Sequence, residues 1–169
     1  MKKILLTISI VALTSQLFAQ NNTQPCPCCS SEYQEFDFWV GNWTVYSVDG
    51  KEIGKNTIVK MQKGCVLQEN WRARNTGTSY NFFDRADSLW HQVWISSTGN
   101  VLNLEGGLDE NGAMVLKSKL TKGAKGNYYN QVIWSKNEDG SVTQKWDILN
   151  EEGEPVSKAF EGIYRKSTD

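Results

Sequence analysis

Val142-Thr143-Gln144-Lys145-Trp146-Asp147-Ile148-Leu149 stands between Asp139-Gly140 on one side and Glu151-Glu152-Gly153 on the other. In an extended chain successive side chains point to opposite sides, so Val142, Gln144, Trp146 and Ile148 share one face and Thr143, Lys145 and Asp147 the other. The first set is the inside of a half-buried strand. Met114, Leu116, Ser118 and Leu120 separate from Val115, Lys117 and Lys119 in the same way. Leu67, Glu69 and Trp71 oppose Gln68, Asn70 and Arg72, while Trp90, Gln92 and Trp94 oppose His91, Val93 and Ile95 with either face able to be buried.

Outward from these stretches the pattern repeats over the whole chain from residue 42. Strands are predicted at 43–48, 53–62, 65–73, 79–85, 89–96, 101–106, 114–120, 128–136, 142–149 and 155–165. The turns between them carry Asp49-Gly50, Lys63-Gly64, Thr76-Gly77, Thr98-Gly99-Asn100 and Asp139-Gly140. About ten short strands at regular spacing read as an all-β sandwich or barrel. Hairpin-length links between neighbours favour an antiparallel up-and-down meander. Closing that meander into a barrel removes its exposed edges, and ten strands enclose more space than eight. A two-sheet sandwich is the alternative.

The first residues, Met1-Lys2-Lys3 followed by an apolar run from Ile4 to Leu13 and by Ala19, have the build of a signal peptide cut after residue 19. The run is shorter than the ~20 apolar residues a spanning helix needs. The expected division is therefore a signal peptide at 1–19, a Cys- and Pro-containing tail at 20–35 and a barrel domain at 36–166, with no transmembrane segment in the mature chain. Without Lys2 and Lys3 the charge is −3, from 16 basic and 19 acidic residues. That balance, without basic runs, argues against nucleic acid. Seven Trp, six Tyr and six Phe are the marked excess, and several should line a core or a cavity.

Cys26, Cys28, Cys29 and Cys65 remain after export, and a secreted or periplasmic location makes disulfides the first reading. Cys29 is nearest the folded part, so a Cys29–Cys65 bridge is expected to pin the tail to the barrel. The rival is a soft-metal site in Cys26-Pro27-Cys28-Cys29, for which no fourth ligand is evident nearby.

Phe36-Asp37-Phe38-Trp39-Val40-Gly41-Asn42-Trp43 places a Gly-x-Trp at the start of the first strand. This resembles the opening motif of the calycin barrels, the group of lipocalins and fatty-acid-binding proteins. The resemblance implies that Trp43 plugs the closed end and that Arg165, in Phe160-Glu161-Gly162-Ile163-Tyr164-Arg165, packs over it. Gly64-Cys65-Val66-Leu67, Glu69-Asn70-Trp71, Asn81-Phe82-Phe83-Asp84, Trp90-His91-Gln92-Val93-Trp94, Gly106-Gly107 and Ile133-Trp134-Ser135 extend the likeness over residues 36–166. Together they resemble a family of secreted bacterial proteins of unknown function related to those barrels, which implies a fold and no activity. Haem-binding barrels of similar shape use a His near the last strands. Here the one His is His91, on the fifth strand.

Glu69 on an inward face needs a partner, whether an Arg, a ligand amine or a proton, because a buried carboxylate is otherwise costly. Asn81, Gln92 and Gln144, with Trp71, Trp94, Trp134 and Trp146, have the composition of a ligand pocket: aromatic walls and sparse amides. The same Trp side chains can instead fill the barrel. His91 lacks the second His that a metal site would use, and no nucleophile elbow, phosphate loop or HExxH occurs. The expectation is an exported carrier or sensor of a small apolar or amphipathic ligand, with no cofactor and no catalytic residue assigned. The alternative is a secreted structural or interaction domain with a packed core. An enzyme using Glu69 or His91 ranks third.

Overall fold

The structure, a computed structural model, describes residues 26–124 and 126–167; the expected signal peptide and the start of the tail lie outside them. Eleven strands follow two 3₁₀ turns, Ser31–Gln34 and Asp37–Trp39. They are β1 (Gly41–Tyr46), β2 (Glu52–Met61), β3 (Val66–Arg72), β4 (Gly77–Asp84), β5 (Leu89–Ser96), β6 (Val101–Leu108), β7 (Met114–Lys117), β8 (Thr121–Gly123), β9 (Gly126–Lys136), β10 (Val142–Leu149) and β11 (Pro155–Lys166). Every pairing is antiparallel and joins chain neighbours, except that β7 pairs with β9 and β1 with β11. The β1–β11 ladder closes the ring, so the fold is a ten-strand up-and-down barrel and not a sandwich.

The expected strand at 114–120 is interrupted. β7 stops at Lys117, Leu120 is exposed, and the short β8 resumes against the start of β9. The reason is local: the Ser118 hydroxyl accepts the Asn130 backbone N–H at 2.9 Å, where a regular ladder would place a carbonyl. The hairpin Asn137–Ser141 shows how the turns are built. Asn137 N–H bonds Ser141 O at 2.9 Å, Gly140 N–H bonds Asn137 O at 3.0 Å, and Gly140 sits at φ +78°. Residues 47–51, 96–100, 109–113 and 150–154 repeat the same pair of bonds, a type I turn ending in a left-handed residue.

Alternation assigns the interior as expected on β3, on β7 and over Val142, Gln144 and Trp146 of β10. Past Trp146 the β10–β11 register shifts, and Asp147, expected outside, is buried with Leu149 while Ile148 is only half-buried. On β5 it is Trp90, Gln92 and Trp94 that face inward. One end of the barrel is filled by aromatic rings. Phe36, from the segment that crosses this end, stacks on Trp39 at 5.0 Å and meets Trp90 and Trp134 edge-on at 5.7 and 5.1 Å. Trp43 is 1 % exposed and donates its indole N–H to Trp39 O at 2.8 Å. It lies among the rings at this end, 6.3 Å from Tyr164.

Arg165 does not cover it. Arg165 lies on the outer face and reaches Asp139 at 3.4 Å, while Lys166 stands opposite Trp43 in the β1–β11 register. The Lys166 ammonium lies 3.8 Å from the centre of a Trp43 ring and donates to Val40 O at 2.7 Å. A shift of one residue along a strand exchanges the faces, and that is the whole difference.

The cysteine pairing also departs from expectation. Cys28, not Cys29, bonds Cys65, and Cys29 closes a four-residue loop with Cys26. Cys28 is the buried member of the tail cluster and Cys29 is exposed, so Cys28 is the thiol turned toward the barrel. With all four cysteines paired, no thiol of this cluster is left for a soft metal.

The Cys28–Cys65 bond closes a loop across 37 positions. Replacing both residues by Ser is expected to cost about 4 kcal/mol by loop-closure entropy, against roughly 2 for the Cys26/Cys29 pair. Urea denaturation of the two double variants beside the parent measures both; a larger loss in the Cys26/Cys29 variant would contradict this pairing.

Candidate functional site

Above the aromatic plug the interior turns polar. β2, β3, β4 and β5 run side by side, and their inward positions at one level are Asn56, Glu69, Ser79, Asn81 and Gln92, all buried. Asn56 Nδ2 donates to Glu69 Oε1 at 2.7 Å, and Ser79 Oγ donates to Glu69 Oε2 at 2.6 Å. The Ser79 hydroxyl in turn accepts from Asn81 Nδ2 at 2.9 Å. Gln92 Nε2 donates to Asn81 Oδ1 at 2.8 Å, and Asn81 Nδ2 also reaches Leu67 O at 3.1 Å. The side-chain bonds from Gln92 through Asn81 and Ser79, and that from Asn56, all run toward Glu69, which sits at their receiving end.

Glu69 has no ion-pair partner within this network. Burial pushes its carboxyl up to about 7, against the opposing pull of the bonds from Ser79 and Asn56. Tyr164, across the barrel on β11, is fully enclosed; burial first and the Glu69 charge second hold its hydroxyl well above the ordinary phenol range. That hydroxyl donates to Gln144 Oε1.

The polar level forms the floor of a cavity of about 200 Å³ at the end opposite the plug. Glu69, Gln92, Gln144 and Tyr164 border it from below, and Trp71, Trp94, Trp146, Phe160, Leu102, Val132 and Ala159 form its walls. Two of the indoles owe their positions to glycines. Trp71 lies across Gly54 of β2, where an added Cβ would come within 2.6 Å of the ring, and Trp94 covers Gly77 of β4 in the same way. Trp71 meets Phe160 edge-on at 6.0 Å, and Trp146 is fixed by its N–H bond to Asn130 Oδ1 at 2.9 Å.

Of the eight residues expected to form a pocket, the structure brings six together: Glu69, Trp71, Gln92, Trp94, Gln144 and Trp146. Asn81 lies beneath the floor and positions Gln92 and Ser79. Trp134 belongs to the plug, 5.4 Å from Trp39 and 5.1 Å from Phe36, and does not touch the cavity. Sequence reading missed Asn56, Leu102, Val132, Phe160 and Tyr164. The alternation Asn56-x-Ile58 and Phe160-x-Gly162-x-Tyr164 carries the signal for three of them.

His91 stands elsewhere, on the outer face of β5. It stacks on Phe82 at 5.4 Å and bonds Asp87 Oδ2 at 2.9 Å, which ties the β4–β5 hairpin together. Asp84 completes a group whose ligand atoms lie within 4.8 Å of one another on the barrel surface, away from the cavity.

A glutamate with a folded value near 7, above its ordinary 4.5, binds its proton more firmly in the folded than in the unfolded chain. It therefore favours folding below about pH 4.5, and that contribution, about 3 kcal/mol in all, is withdrawn as pH rises through 7. Glu69→Gln abolishes the titration while keeping the shape. Between pH 5 and pH 8 the parent should lose roughly 1–3 kcal/mol relative to this variant in urea denaturation. Parallel pH profiles for the two proteins would show that Glu69 titrates normally.

No protein-family profile matches the chain, and a search of curated proteins finds no relative for it.

Proposed function

We propose that the protein is an exported binding barrel, a carrier or sensor, that takes a small, partly apolar molecule into the cavity at its open end. The observation that carries this reading is the contrast between the two ends: one closed by packed rings, the other a walled space of about 200 Å³ with four indole or phenyl side chains and a few directed polar groups. Ligand sites have that composition. The volume is below the ~300–1,000 Å³ typical of drug-sized ligands, so the occupant is a small metabolite-like molecule.

Exposed apolar side chains gather near the same end. Val48, Ile95, Val101 and Val156 lie in or beside the turns that ring the opening. Export is supported by the build of residues 1–19 and by the two disulfides, which fit an oxidising compartment. Among the described residues no helix is long and apolar enough to cross a membrane.

Ala159 offers a test that touches no polar group. Its small side chain lines the cavity, and Ala159→Trp should fill the space. Native mass spectrometry of protein recovered from its own compartment is expected to show a mass excess, lost on denaturation, in the parent and absent in this variant. An equal excess in both proteins would place the ligand elsewhere; none in either would favour a domain that acts through its surface.

A further inference from the structure

Glu69 is the one acidic residue among those that line the cavity, and Lys, Arg and His are absent from that lining. Its side chain is 4 % exposed, and both of its hydrogen bonds come from neutral donors. Hydrogen bonds from an amide and a hydroxyl lower the cost of a buried carboxylate without removing it; an opposite charge is what a buried charge requires. The nearest cationic side chain on the same strand, Arg72, is exposed on the outer face. The protein thus presents an anionic oxygen pair at the bottom of an aromatic cup and supplies no counter-ion of its own there.

The walls point the same way. Trp71, Trp94, Trp146 and Phe160 bring four aromatic rings to the cavity, and an aromatic ring attracts a cation electrostatically, most strongly where water is excluded. Each Glu69 oxygen receives one protein donor and keeps a lone pair for another, and a protonated primary amine carries three donors on a single atom. Anionic ligands meet the opposite situation: the Tyr164 hydroxyl is committed to Gln144, and no positive group lines the space. We propose that the ligand is an organic ammonium compound, a small primary amine whose charged head rests on the Glu69 carboxylate and whose apolar part packs among Trp71, Trp94, Trp146 and Phe160.

This assignment rests on the cavity being a ligand site, and the experiment separates the two. Full mature protein is titrated at pH 8 with a series of n-alkylamines and 2-phenylethylamine, and in parallel with the alcohols of the same length, by calorimetry or Trp fluorescence. The amines should bind at least about tenfold more tightly than the matched alcohols, and Glu69→Gln should erase that difference; an unchanged far-UV circular dichroism spectrum and a cooperative urea transition report that the variant is folded. Lowering the pH from 8 to 6 should weaken amine binding to the parent about tenfold and leave the variant unaffected. The groups facing Glu69 from β2, β4 and β5 are Asn56, Ile58, Ser79, Asn81 and Gln92, none of which titrates, and from β11 only Tyr164, which stays protonated over this range. Alcohols that match the amines, or a Glu69→Gln variant that keeps the amine preference, overturn the ammonium assignment and leave the cavity reading standing. If neither series binds at millimolar concentration, the cavity reading falls and the assignment with it.

Discussion

A ring of ten strands encloses a space that has to be filled or wetted, and the segment around Phe36 and Trp39 decides which end is filled. Both side chains are fully buried, and they seat against Trp90, Trp134 and Tyr164 from three different strands. The tail disulfide, the Lys60–Asp37 pair at 2.5 Å and the Trp90 N–H bond to Glu35 at 3.0 Å hold that segment in place. Burial of rings of this size contributes on the order of 3–5 kcal/mol each by the cost of truncating them to Ala. With one end sealed, the polar floor and the open cup above it have a definite direction along the barrel. The seal is bought with some polar cost, since the indole N–H groups of Trp39 and Trp134 are buried without a hydrogen-bond acceptor.

The polar level answers a different demand. A purely apolar interior would be more stable than one holding an ionisable group with neutral partners. Asn56, Ser79, Asn81 and Gln92 all orient their donors so that the chain of bonds ends on Glu69, and Asn56 Oδ1 is left without a partner in doing so. Such a concentration of donors on one carboxylate is a stability cost concentrated at the floor of the cavity. Polar cost is thus carried in two places, the unpartnered indoles of the plug and the carboxylate at the cavity floor.

How much of this was legible in the sequence depended on how one-sided each strand is. On β7 and the first half of β10 one face is plainly apolar or aromatic and two-residue alternation identified the interior, while on β3 the weaker contrast of Leu67, Glu69 and Trp71 with Gln68, Asn70 and Arg72 still pointed the right way. Past Trp146 the shifted β10–β11 register buries Asp147 instead of Ile148. On β5 both faces carry large apolar side chains, and alternation could not choose between Trp90-Gln92-Trp94 and His91-Val93-Ile95. Trp134 was grouped with the pocket because alternation gives the face of a strand but not the height along it; its place in the plug is set by β9 pairing with β10 and β7. The three tail cysteines lie within four positions, too close for sequence distance to say which meets Cys65. Arg165 and Lys166 differ by one position, and only the β1–β11 register distinguishes the one that reaches Trp43.

That register has a kinetic side as well. It joins residues 43–46 to 163–166, the two ends of the described chain, whereas every other ladder links segments adjacent or nearly adjacent along it. Hairpins can form early from local turns, but the seam cannot close until the last strand is present, and long-range pairings of this kind slow folding. Until then β1 and β11 remain open edges, and Trp43 lacks Lys166 above it. The final strand therefore acts as a clasp: it converts a curved sheet with two sticky margins into a vessel with none.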